Sequence, residues 1–176
     1  MPERPVEPMR GLPWVLGALA AAVAPHVPFL PGWISLLIAA AVAWRWAVEQ
    51  RGWPLPPRWL RVLVAIAATL AVLGTYRTLN GIEAGTAFLV LLAGVKLLET
   101  RGSRDLTVIV FIAYFLLYSA LLRDQRLPQL PYLLAGGVFL TAALMRVHAG
   151  SAGDSARDVL TRTGALLLQA LPLAIL

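Results

Sequence analysis

Between Arg10 and Arg45 the chain has no Asp, Glu, Lys or Arg. As one α-helix that stretch would run about 50 Å, too long for a hydrocarbon core of about 30 Å. Its middle reads PHVPFLPG, where Pro25, Pro28 and Pro31 lack the N–H donor and crowd the preceding turn. The pattern predicts two short apolar spans, at 12–24 and 33–48, joined by a loop at the far interface. Each is shorter than the roughly 20 residues of an ordinary transmembrane helix, so a re-entrant hairpin stays open as an alternative.

The rest of the chain repeats the pattern. Further apolar runs at 60–76, 82–98, 106–122, 131–145 and 159–176 are separated by charge, glycine and proline. Only 14% of the residues are charged and 59% are hydrophobic, against about 25% and 45–50% in a soluble domain. The fold class is therefore all-α: a polytopic integral membrane bundle of about seven helices occupying 12–176, after a tail at 1–11. Within that tail Glu3 and Glu7 lie among the basic residues, and no small-residue cleavage site follows the first apolar run. The first span is expected to be retained rather than removed as a signal peptide.

Basic residues fix the expected orientation. Arg4, Arg10, Arg45, Arg51, Arg58, Arg61, Lys96, Arg101, Arg104, Arg146, Arg157 and Arg162 fall on one side, 12 of the 15 basic residues. The other side holds Arg77, Arg123 and Arg126. By the positive-inside rule the N-terminus is cytoplasmic and the seventh helix heads outward. The same placement explains the net charge of +6 without nucleic acid, because the arginines end apolar runs instead of lining one face. With no cysteine, disulfides, thiolate metal sites and a cysteine nucleophile are excluded within these residues.

The densest charge lies in GVKLLETRGSRD, where Lys96, Glu99, Arg101, Arg104 and Asp105 occupy ten residues between two apolar runs. A lysine deep in a membrane marks a substrate or proton path. Lys96 is less than one turn from the end of its run, so its stem is expected to snorkel to the headgroups and pair with Glu99 three residues on. Arg101 and Arg104 then add charge where anionic headgroups lie. At the other end of that run, Glu83 in NGIEAGTA suits the positive end of a helix, with Asn80 or Gly81 as cap. It has no second carboxylate at acid–base spacing. His26 and His148 fall on opposite sides, and neither has an HExxH setting. AGSAG at 149–153 departs from G-x-S-x-G, and AGVKL has one glycine and no hydroxyl after the lysine. Gly17, Ala21, Ala65, Thr69, Gly136 and Gly137 suit helix packing. No catalytic, cofactor-binding or metal constellation emerges, and no cofactor is expected.

WPLPPRWLR, then NGIEAGTAFLVLLAGVKLLETRGSRD, then VFIAYFLLYSALLRDQ, and the closing TRTGALLLQALPLAIL resemble the N-terminal membrane region of the TgpA-type transglutaminase-like proteins of bacteria. The stretch from Gly85 to Asp105 carries the most specific part of the resemblance. It implies that the helices precede an outward-facing transglutaminase-like domain active in the cell envelope, with the family's Cys, His and Asp lying in that domain. The motif positions that carry over are Glu83, Gly85, Lys96, Glu99, Arg101, Arg104 and Asp105.

The resulting expectation is a module in the bacterial inner membrane that anchors and positions a catalytic domain outside this chain. Its partners are membrane lipids and that downstream periplasmic domain. A small transporter or channel with Lys96 and Glu83 on a polar path is the alternative, and a self-contained membrane enzyme is a third. The last run is short of a full crossing, so the reading frame is expected to continue beyond Leu176. The basic asymmetry predicts that reporter fusions after Arg51, Gly102 and Ala152 report cytoplasm, while fusions after Pro28, Asn80 and Gln125 report the outside. A cytoplasmic signal at Asn80 would refute the span order.

Overall fold

The computed structural model describes residue 9 and residues 11–77, 81–123, 127–148 and 155–175, with side chains as far as 169. Most of the tail at 1–11, Asn80 and the AGSAG segment lie outside the described residues. Seven α-helices follow one another: α1 (Leu12–Val23), α2 (Gly32–Arg51), α3 (Arg58–Tyr76), α4 (Ile82–Glu99), α5 (Ser103–Arg123), α6 (Leu130–His148) and α7 (Ala156–Ile175). No strand occurs among the described residues. By length and composition, five segments among the described residues are apolar enough to cross a membrane: 12–29, 32–51, 58–76, 103–123 and 127–148. Helix α4 carries Glu83, Lys96 and Glu99 within its 18 residues, which sets it apart from those five.

The proline-rich joint differs from the expected loop. Residues Ala24–Phe29 continue α1 as a 3₁₀ segment, closed by the Leu30 N–H on the His26 carbonyl at 3.0 Å. Pro25 sits in its first turn, where a missing N–H costs nothing, and the fixed φ of proline suits a helical turn. About 18 Å of α-helix and about 12 Å of 3₁₀ helix together match the apolar thickness of a bilayer, which α1 alone does not. Pro31 then caps α2 in an extended conformation.

Helix α4 sits between α2, α3 and α5, while α5 also packs on α1 and α6, and α7 lies against α6. Small residues permit the closest approaches. A Cβ on Gly94 would lie 3.3 Å from Ile38 Cδ1 and 3.7 Å from the Ala41 Cβ, so α2 and α4 meet there. Tyr114 Oη and Thr141 Oγ1 hydrogen-bond at 2.6 Å between α5 and α6 in the apolar middle. The Tyr132 hydroxyl donates to the Ala21 carbonyl, tying α6 to α1. Gly11 abuts Val147 at the other end of the same pair, so α1 and α6 are antiparallel.

These contacts sort the ends of the bundle. One end gathers Met9, Arg45, Glu49, Lys96, Asp105 and Arg146; the opposite end gathers His26, Phe29, Glu83 and Arg123. Outward faces are apolar: Phe111, Phe115 and Tyr118 on α5, and Trp59, Leu63, Ile66 and Leu70 on α3, are exposed.

Two glycines give a test with its own control. A Cβ on Gly11 would lie 2.9 Å from Val147 Cγ2 and 3.1 Å from its Cα, and the latter cannot move without α6. At Gly137, one of the expected packing positions, a Cβ meets nothing within 4 Å, whereas its neighbour Gly136 faces Leu117. Gly11→Ala should destabilise the bundle by about 1–3 kcal/mol through overpacking. Gly137→Ala should be neutral or stabilising by up to about 1 kcal/mol through helix propensity. Unfolding in detergent, followed by circular dichroism, measures both.

Candidate functional site

The charged turn between α4 and α5 is organised by Asp105. Helix α4 ends at Glu99 because Thr100 turns extended, its buried hydroxyl donating back to the Lys96 carbonyl at 2.8 Å. Helix α5 restarts at Ser103, and the Asp105 N–H donates to the Gly102 carbonyl. Asp105 thereby stands in the first turn of α5, where a carboxylate is favoured by the helix dipole. Its Oδ1 accepts from Lys96 Nζ at 2.7 Å, and its Oδ2 accepts from the Arg101 N–H at 3.1 Å.

The ammonium goes to Asp105 and not, as the sequence suggests, to Glu99. An i, i+3 pair on one helix competes here with a carboxylate held by the turn, in a short charge-assisted hydrogen bond that also closes the chain reversal. Lys96 and Asp105 are about a quarter exposed, while Arg104 points outward and is exposed. Both oxygens of Asp105 are engaged, so the arrangement staples two helices and presents no idle base.

At the opposite end, Glu83 stands in the first turn of α4 with Oε1 3.7 Å from Arg123 Nη1. The Arg123 guanidinium lies over the Phe29 ring at 4.6 Å, a cation–π contact with the 3₁₀ segment. Gly81 caps α4 with φ of +112°, a conformation that favours glycine. A Cβ on Gly85 would meet nothing, so that residue makes no close approach.

His26 is fully buried beneath this end. Its Nε2 lies 2.9 Å from the Leu116 carbonyl and so carries the proton, with Ser119 Oγ at 3.4 Å. Its Nδ1 is buried with no hydrogen-bond partner among the described residues. His148 closes α6, with Nδ1 on the Leu144 carbonyl. Tyr132, near the His26 end of α6, is 16 residues from His148, or about 24 Å of helix. The two histidines do not meet, and no group of three metal-ligating side chains occurs among the described residues.

The sequence counts Arg45 among the arginines that end apolar runs on the basic side of the membrane. It is instead fully buried within α2, with Nη1 and Nη2 each 3.5 Å from Glu49 Oε2 and Nη2 3.5 Å from Met9 Sδ. Glu49 Oε1 accepts the Met9 N–H at 3.0 Å, fastening the chain ahead of α1 to α2. The i, i+4 spacing of Arg45 and Glu49 was the available signal, hidden by ending the second span at 48, between the two residues. Arg146 lies over Trp14 at 5.3 Å at the same end.

The TgpA N-terminal domain family matches residues 14–176, nearly the whole chain. The chain belongs to that family. It is 31% identical over 169 residues to a protein-glutamine gamma-glutamyltransferase of Pseudomonas aeruginosa, an alignment that covers 96% of this chain and 25% of that relative. The chain thus spans about a quarter of the length of the curated relative it matches. No solved structure matches it.

The staple predicts a specific pattern of coupling. Asp105→Ala should lower stability by about 1.5–3 kcal/mol, the range for hydrogen bonds to charged groups, and Glu99→Ala should change it little. In a double-mutant cycle, Lys96→Ala and Asp105→Ala should couple, whereas Lys96→Ala and Glu99→Ala should add independently. The opposite pattern would restore the i, i+3 pairing.

Proposed function

We propose that the chain is the membrane-embedded N-terminal module of a transglutaminase-like envelope protein, anchoring and positioning an outward-facing catalytic domain. The observation that carries this reading is the family match together with the quarter-length coverage of a relative named as a transferase. In the proposed arrangement about seven helices cross the bacterial inner membrane with the N-terminus in the cytoplasm. The end holding Lys96, Asp105, Arg45 and Arg146 lies inside, where anionic headgroups suit its excess of arginine. The His26, Glu83 and Arg123 end lies outside, below the domain it would carry.

The distribution of charge supports an anchor over a transporter. Among the described residues, charged side chains lie within about two turns of a helix end. The Lys96 pair and the Glu83–Arg123 pair stand at opposite ends of α4 with an apolar middle between them. The exposed aromatic and aliphatic faces of α3 and α5 suit lipid, and would be an aggregation hazard in water.

Sequencing the native gene past codon 176 should show an open frame entering a segment with a Cys-His-Asp arrangement. Protein from that full frame should join a glutamine donor to an amine acceptor, and residues 1–176 alone should not. A stop codon directly after Leu176 would overturn the reading and favour the small-transporter alternative.

A further inference from the structure

Arg61, on the first turns of α3, is only 8% exposed, yet its Nε has no hydrogen-bond partner and it makes no ion pair among the described residues. A largely buried cation with no counter-charge is costly, and Arg45, the other buried arginine among the described residues, has Glu49 beside it. From Gln50 to Ile82 the sequence contains no Asp or Glu, so the missing anion is not nearby in the chain.

Arg61 lines an apolar groove of about 410 Å³ between α2 and α3, together with Leu37, Trp44, Pro56, Val64 and Leu98. The groove opens at the N-terminus of α3, which has no side-chain cap, so its first N–H groups and the helix dipole also favour an anion there. Trp44 and Trp53 pack edge to face at 5.3 Å beside it, and Trp59 is exposed. Tryptophans in such a belt mark headgroup depth. From Trp44 to Leu37 the groove follows α2 for about 10 Å toward the apolar middle.

We infer that this groove binds one anionic phospholipid, with the lipid phosphate on Arg61 and the start of α3, and an acyl chain along α2 and α3 toward Leu37 and Leu98. An apolar channel alone would accept any chain; the unpaired cation at its mouth selects a negative headgroup. The inference rests on the membrane placement proposed above but not on the transferase reading, and it holds for either orientation of the bundle.

The test uses the full-length protein in detergent, stripped of lipid and titrated with phosphatidylglycerol, phosphatidylcholine or inorganic phosphate. Bound lipid is counted by native mass spectrometry, and the thermal midpoint is followed in parallel. Phosphatidylglycerol should bind and raise the midpoint; phosphatidylcholine and phosphate should not. Arg61→Gln should weaken phosphatidylglycerol binding by about tenfold or more, through loss of a charge-assisted contact. Without lipid, that variant should be at least as stable as the parent, because it removes an unpaired buried charge, and the order should reverse once lipid is added. Ala40→Trp fills the groove wall and should abolish binding with Arg61 intact. Arg58→Gln, on the exposed neighbour, should bind as the parent does.

Equal phosphatidylglycerol binding by parent and Arg61→Gln would overturn the inference. Stabilisation by phosphate alone would reduce the site to a simple anion site and overturn the lipid assignment. A dimer that Ala40→Trp disrupts would make a second copy the occupant instead. A protein that stays monomeric and soluble without detergent would refute the membrane placement itself, whereas one that needs detergent but ignores phosphatidylglycerol would refute only the lipid site.

Discussion

Inside an apolar bundle a charged side chain has to meet an opposite charge, reach the end of its helix, or wait for a ligand, and the helices here are arranged around those three outcomes. Arg45 meets the first demand through Glu49, which also holds the Met9 N–H. Removing either partner would leave an uncompensated charge in the interior, a far larger loss than any surface pair represents. Lys96 meets it through Asp105, and in doing so fixes where α4 stops and α5 starts. Arg123 reaches a helix end, where Glu83 and the ring of Phe29 receive it. Arg61, one turn inside the start of α3, meets no opposite charge among the described residues and stays largely buried, which is why the groove beside it differs from an ordinary seam between helices.

The backbone is subject to the same demand. Every N–H and C=O in an apolar setting needs a partner within the structure, so proline in the middle of a long uncharged run threatens the whole run. The chain meets this by closing Ala24–Phe29 as a 3₁₀ turn and by placing His26 beneath it, where the imidazole binds the Leu116 carbonyl on α5. One side chain therefore sets the position of the first span relative to the central helix. Small residues at Gly11, Gly17, Gly94 and Gly136 then let the neighbouring helices approach until side chains from two helices share the space.

These arrangements make the two ends of the bundle chemically unlike. Among the described residues, one carries cation–carboxylate pairs and arginines over tryptophan; the other carries a single pair, a cation–π contact and a buried imidazole. Between them the hydroxyls of Tyr114 and Thr141 are hydrogen-bonded to each other and to the backbone. Among the described residues the charged groups are thereby drawn to the two ends of the bundle.

Charge spacing and apolar run length were legible from the sequence because they act locally. A gap of 34 residues without charge forces helices, and a run ending in Lys-Leu-Leu-Glu-Thr-Arg-Gly has to leave the apolar layer there. The all-helical class and the number of helices followed from that. The choice of partners did not, because it depends on distances between residues far apart in the chain. Lys96 chooses Asp105 over Glu99 because the reversal of the chain brings a dipole-favoured carboxylate nearer than the next turn of its own helix does. Arg45 is buried because the segment before α1 folds across it, and Arg61 is left unpaired because the groove it lines offers no carboxylate. The sequence by itself determined which segments are helical and which residues carry charge. Only the packing of seven helices decided which of those charges are neutralised, since the free energy of a buried ion is set by the few atoms that surround it.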